Sequence, residues 1–191
     1  MINTIVSLHD RVFGAVQRNL EDWLPGLLAR LVFAGVLLVY FLNSAMKKLG
    51  EGLSGFFTVT DNAYFQILPS VVEQYGYNAS EVPLLPWGIV VYLGTYGEVL
   101  LPVLIVIGLF TRIAALGMIG FVFVQSYVDI AFHGVDAETI GAWFDRFSDA
   151  AIFDQRAMWL FLLAYLVIRG AGKASVDHLL HRININGVRL D

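Results

Sequence analysis

The stretch Leu31-Val32-Phe33-Ala34-Gly35-Val36-Leu37-Leu38-Val39-Tyr40-Phe41-Leu42 is an unbroken apolar run, bounded by Arg30 and Asn43. With its flanks it extends over Leu24–Met46, and crossing a hydrocarbon core takes about 20 mostly apolar residues. Three further stretches qualify. The second is roughly 87–110, interrupted by Glu98 and Pro102, and the third is 113–132, carrying Gln125 and Asp129. The fourth, about 157–171, is the shortest in apolar content, with a run of only 157–168. Arg156 and Arg169 at its ends can snorkel to the two interfaces and lengthen it. Only Gly108-Leu109-Phe110-Thr111-Arg112 separates the second and third spans, so they must form an antiparallel hairpin.

Composition supports the same reading. Of 191 residues, 58% are hydrophobic and 15% charged, and the mean hydropathy is +0.69. A soluble domain carries about 25% charged residues, so this chain has too little polar surface to cover a globule in water. The net charge of −4 and the lack of a basic run leave nucleic-acid binding without an electrostatic footprint. There is no cysteine, which removes disulfides, thiol catalysis, thiolate zinc, iron–sulfur clusters and covalent haem attachment. The fold class read from the sequence is all-α: one domain over 1–191, an integral membrane four-helix bundle whose first partner is the lipid bilayer.

With four spans, both termini and the turn at 108–112 share one side. That side holds Arg11, Arg18, Arg30, Arg112, Arg169, Lys173, Arg182 and Arg189, against Lys47, Lys48, Arg146 and Arg156 on the other. Since lysine and arginine concentrate on the cytoplasmic face, both termini are expected in the cytoplasm. Residues 1–23 lack the signature of a cleaved signal. Ile5, Leu8, Val12, Val16, Leu20 and Trp23 instead recur at helical spacing, which predicts an amphipathic helix on the inner membrane surface. The two outer loops carry similar patterns, Tyr64 to Tyr75 across Pro69 in the first and Ile140 to Phe147 in the second. Short amphipathic helices folded over the bundle are expected in both.

Polar groups inside a bilayer are expensive, and they mark function or a structural pair. Glu98 falls near the predicted midplane, and Gln125 at a similar level on the antiparallel neighbour. Thr95 shares a face with Glu98; Gln125, Asp129 and His133 form an i, i+4, i+8 stripe; Asn43 and Lys47 form a shorter stripe closing the first span. One reading is an outward-opening polar pocket with Glu98 as proton carrier or ligand contact. The plainer reading is that these groups hold helices together by hydrogen bonds. Glu98 is expected between helices, facing the first and third spans, paired with a base or protonated. Asp177 and His181 are spaced for one helix face, but the solvated-helix reading outweighs a metal site, and no metal is expected. No catalytic nucleophile–base pair is visible.

Gly97-Glu98-Val99-Leu100-Leu101-Pro102 and Gly108-Leu109-Phe110-Thr111-Arg112-Ile113-Ala114-Ala115-Leu116 together resemble the DoxX family signature. Arg30-Leu31, Lys47-Lys48-Leu49 and the ending Arg169-Gly170-Ala171-Gly172-Lys173-Ala174-Ser175-Val176-Asp177-His178 also look like the family. The segment 82–95 is similar to a branch associated with metal-binding peptide systems. The resemblance implies a four-helix protein of the bacterial inner membrane, with relatives linked to a thiosulfate:quinone oxidoreductase and to membrane redox complexes. It carries over Arg30, Lys47 or Lys48, Glu98, Arg112 and Asp177. Arg30 and Asp177 are expected to pair as a latch, and Arg112 to bond the carbonyls ending the second span or lipid phosphates.

Two functions follow as expectations. One is a redox subunit that binds quinone, its only expected cofactor and not a covalent one, while a partner redox subunit delivers electrons. The alternative is a non-enzymatic small transporter or a scaffold or assembly factor, conceivably in a metal-related pathway. Whether the chain is an enzyme and whether it forms a homo-oligomer stay open in the sequence.

Overall fold

Arg30, Phe33, Leu37 and Phe41 recur at steps of three and four, so one face of the first apolar stretch turns inward. In the computed structural model of the chain, which describes residues 2–187, that face packs inside a bundle of four helices. The order is α1 (Ile2–Leu20), α2 (Leu24–Met46), α3 (Asp61–Ile67), α4 (Pro69–Gln74), α5 (Leu84–Ile107), α6 (Thr111–Ala131), α7 (Ala151–Arg169) and α8 (Val176–Gly187). By length and composition α2, α5, α6 and α7 are each able to cross a membrane. Phe33, Leu37, Phe41, Ile105, Met118 and Leu163 fill the space between them.

The first span matches its expected limits and the others shift. α5 ends at Ile107 because Gly108 turns left-handed (φ 73°), and both its amide and that of Leu109 bond back to the Leu104 carbonyl. A β-carbon at Gly108 would also lie 2.7 Å from Ser175 and 2.9 Å from the Arg30 guanidinium, so both conformation and space demand glycine. The fourth span is longer than its hydropathy suggested. It begins at Ala151 with a π-turn (Ala151–Gln155) and, at 19 residues, is long enough to cross. Its start was hidden by Asp154, Gln155 and Arg156. The Asp154 carboxylate accepts the Ala150 amide at 3.0 Å, and Arg156 turns inward.

Both ends of the bundle's chain emerge at the face of the 108–112 turn, called here the terminal face; the opposite one is the loop face. α1 is helical as expected, and Ile5, Leu8, Val12 and Val16 are exposed, leaving its apolar side bare for lipid. Arg189, counted above among the basic residues of this side, lies outside the described residues.

On the loop face, Pro69 does not kink one helix but starts another. Leu68 leaves helical geometry (φ −130°, ψ 53°) and Pro69 opens α4, where its missing amide costs nothing. Val71, Val72 and Val82 pack there with Tyr64 and Trp87. In the second outer loop only the turn Ala137–Ile140 is helical. Trp143, Phe144 and Phe147 lie in irregular chain and point outward, against the expectation that they fold onto the bundle.

Candidate functional site

Lys48 is the second residue past the loop-face end of α2, and its side chain runs back into the bundle. The ammonium lies 2.7 and 2.9 Å from the two carboxylate oxygens of Glu98 and 2.7 Å from Ser44 Oγ. Both residues are buried, 3% and 5% exposed. Glu98 stands nine residues before Ile107, about 13 Å along α5 at 1.5 Å per residue. Glu98 is therefore a buried, membrane-depth carboxylate paired with a base and placed between the first, second and third spans. The base is Lys48 rather than Lys47. The polar stripe closing α2 is Ser44 and Lys48, while Asn43 and Lys47 sit one position round and are exposed.

The pair forms one wall of a cavity of about 390 Å³. Its sides are apolar: Val90, Leu93 and Leu101 from α5, Phe121, Val124 and Val128 from α6. At its loop-face end are Gln66 and Ile67 of α3 and His133. Ile67 packs on Gly94 so closely that a β-carbon there would lie 3.0 Å from it. Part of the expected outward mouth is therefore occupied by α3, beside the exposed His133. Gln125 lines the cavity and donates to the Tyr40 hydroxyl at 2.9 Å, a bond between α6 and α2. Thr95 is fully buried one turn from Glu98, and its hydroxyl has no hydrogen-bond partner among the described residues.

Asp129 belongs to a second cluster. Arg156 donates to it at 2.5 Å and to Ser126 Oγ at 2.8 Å, and His133 Nδ1 lies 3.1 Å from its other oxygen. Arg156 is buried, not snorkelled to the surface. A sequence gives no sign of this pairing, since 27 residues separate the partners. His133 joins both clusters, because it also lines the cavity.

The terminal face holds the predicted latch residues, but they do not pair with each other. Arg30 donates to the carbonyls of Val106 (3.0 Å) and Ala174. Asp177 accepts the amides of Phe110 (2.7 Å) and Thr111 (3.0 Å) at the start of α6. A helix start presents bare N–H donors and a helix end bare carbonyls. The carboxylate serves the first, and the guanidinium takes a carbonyl in the last turn of α5 and one just before α8. Arg112 is exposed beside Gly170 and, among the described residues, bonds none of the carbonyls ending α5. Asp22 and Lys173 tie the two terminal arms at 2.5 Å, and that hydrogen bond with its charge holds the Asp22 carboxyl below the usual carboxylate range.

No group of three or more histidine or acidic side chains among the described residues could hold a metal ion. Compared with known proteins, the chain is matched by the family model DoxX over residues 26–134, more than half its length, from the first turn of α2 to just past the end of α6. No curated protein and no solved structure matches it.

Proposed function

The chain belongs to the DoxX family of membrane proteins, and from that premise we propose that it is the membrane subunit of a redox system, binding a quinone in the cavity between α2, α5 and α6. The observation that carries this reading is the Lys48–Glu98 pair in the wall of a mainly apolar, membrane-depth cavity. A quinone ring is flat and apolar with carbonyl acceptors at its ends. Reducing it to the quinol takes two electrons and two protons. Lys48 is the donor at hand for a carbonyl oxygen, and Glu98 the group able to hold a proton beside it. The electrons come from a partner subunit, because a cysteine-free chain offers no thiolate ligands and its histidines are not paired within the bundle. Lysine and arginine placement supports an inner-membrane orientation with both termini in the cytoplasm.

Glu98→Gln keeps shape and can still hydrogen-bond, but cannot carry a proton. The variant still accepts from the Lys48 ammonium but leaves its charge unbalanced, so it is expected to fold with lower stability than the parent, and its folded fraction to retain about tenfold less co-purified quinone, a loss of ~1.4 kcal/mol, read by redox difference spectroscopy in lipid. One observation favours the second reading, a transporter or scaffold: Ser44 and Glu98 already occupy the Lys48 ammonium. On that reading Glu98→Gln functions normally and no quinone is found. For orientation, a compartment-sensitive reporter at the C-terminus is expected to read cytoplasm and one inserted at Ser80 the opposite side. The reverse pattern would refute the charge argument.

A further inference from the structure

The cavity's walls differ in what they border. Its loop-face end is narrowed by Gln66 and Ile67 beside the exposed His133, and its inner wall is the buried Lys48–Glu98 pair. Its remaining side is the seam between α5 and α6, and there the lining residues are bare of protein. Leu93 is 70% and Val124 59% exposed, at heights that lie inside the spans. Gly117 and Gly120, also lining, are exposed as well. Small residues on membrane helices ordinarily let a neighbouring backbone approach closely. At Gly117 the neighbour does close in, since a β-carbon would lie 3.2 Å from Leu101. At Gly120 nothing lies within 4 Å of that position. Gly120 is nine residues after Thr111 and Glu98 nine before Ile107, so the gap opens at the level of the carboxylate.

We infer that the cavity opens sideways into the bilayer, through the cleft beside Gly120 between α5 and α6. Its ligand is a single-tailed amphiphile that arrives from the lipid phase. The polar head rests on the Lys48–Glu98 wall and the apolar tail lies in the cleft lined by Leu93, Gly120 and Val124. The head position rests on the reading of the cavity given above; the sideways opening stands on the exposure of the seam. A water-soluble solute would need a mouth at the loop face, where Ile67 packs on Gly94. A second copy seated on the seam would leave the charged Lys48–Glu98 wall facing an apolar helix. An amphiphile satisfies both the head wall and the greasy rim.

The absence of cysteine makes the test direct, since Gly120→Cys places a nitroxide label at one site only. With the full chain in lipid nanodiscs, the label is expected to collide more with oxygen, which concentrates in lipid, than with a water-soluble nickel chelate. A larger nickel effect would mean a water-filled mouth and overturn the inference. Shielding from both would also overturn it, with label-to-label broadening identifying a second copy and none identifying a closed seam. Ligand class is read with two probes, a decyl-tailed benzoquinone and the same ring without a tail. Gly120→Phe fills the cleft and is expected to weaken the tailed probe about tenfold, ~1.4 kcal/mol by the affinity relation, and the tail-less one less than about twofold. Equal effects on both, or on neither, overturn the tail's placement. If the parent binds neither probe, the quinone reading fails and the collision measurement alone decides the opening.

Discussion

Lys48→Met is expected to destabilise the folded bundle by about 3–5 kcal/mol, the range found when one partner of a buried ion pair is removed. The loss arises less from the missing attraction than from what remains. Glu98 is 5% exposed and keeps no other charged partner within hydrogen-bond reach among the described residues, so its charge would stand unbalanced in a low-dielectric interior. Glu98→Leu alone is expected to do comparable harm by stranding the ammonium, although Ser44 softens that case. The double variant Lys48→Met/Glu98→Leu replaces both by apolar groups, and such replacements of buried pairs are often neutral or stabilising. It is expected to recover most of the stability while losing any bound quinone. Unfolding in mixed detergent micelles measures the first result and lipid-phase quinone content the second. A double variant no more stable than either single one would show that the pair is not what holds α2 to α5.

The second large effect is expected at Asp177. Its carboxylate takes the first two free amides at the start of α6, and its own amide donates to the Gly108 carbonyl at 2.8 Å. One residue therefore stitches α8 to both sides of the α5–α6 turn. Asp177→Ala leaves one exposed donor, the Phe110 amide, and one part-buried donor, the Thr111 amide, without their acceptor and is expected to cost about 2 kcal/mol, at the upper end for a lost helix cap. Asp177→Asn keeps one acceptor and loses the charge that complements the helix N-terminus, so a smaller loss is expected. A charge-swapped Arg30→Asp/Asp177→Arg chain is expected to be no more stable than its worse single parent. Each residue serves backbone groups of fixed polarity, and those do not swap. Rescue by the swap, seen as recovered folded yield, would restore the direct ion pair and overturn this account.

Much of the architecture is legible from residue chemistry alone, because a membrane span is written in consecutive residues. Leu24–Met46 could be delimited by eye for that reason. Where the fourth span's limit moved, a side chain has a partner the sequence does not show. Arg156 reads as a span boundary until Asp129 is brought beside it. The site is less legible, since an unbroken run such as 31–42 carries no rotational phase. Spacing alone puts Asn43 and Lys47 in one stripe and leaves Lys47 and Lys48 as alternatives, and the inward pair, Ser44 and Lys48, stands a single position on. A signal existed: Arg30 and Lys48 are eighteen residues apart, about five turns at 3.6 per turn, and so share the face that Arg30 turns inward. Arg30 and Asp177 were placed at the right level with the wrong partners, because backbone carbonyls and amides have no letter in a sequence.

The order of the two inner pairs along the chain bears on how the protein is made. Lys48 ends the first span and Glu98 lies in the second; Asp129 lies in the third and Arg156 opens the fourth. Each charge thus finds its counterpart in the next span to leave the ribosome, never in one two spans away. When Glu98 moves into the bilayer, Lys48 has already been synthesised. When Asp129 is placed, its guanidinium is the next cation but one to be translated. As far as these two pairs go, each half of the nascent chain supplies its own counter-charge, while Arg30, the other buried cation of the first span, is met by the carbonyls of Val106 and Ala174 instead.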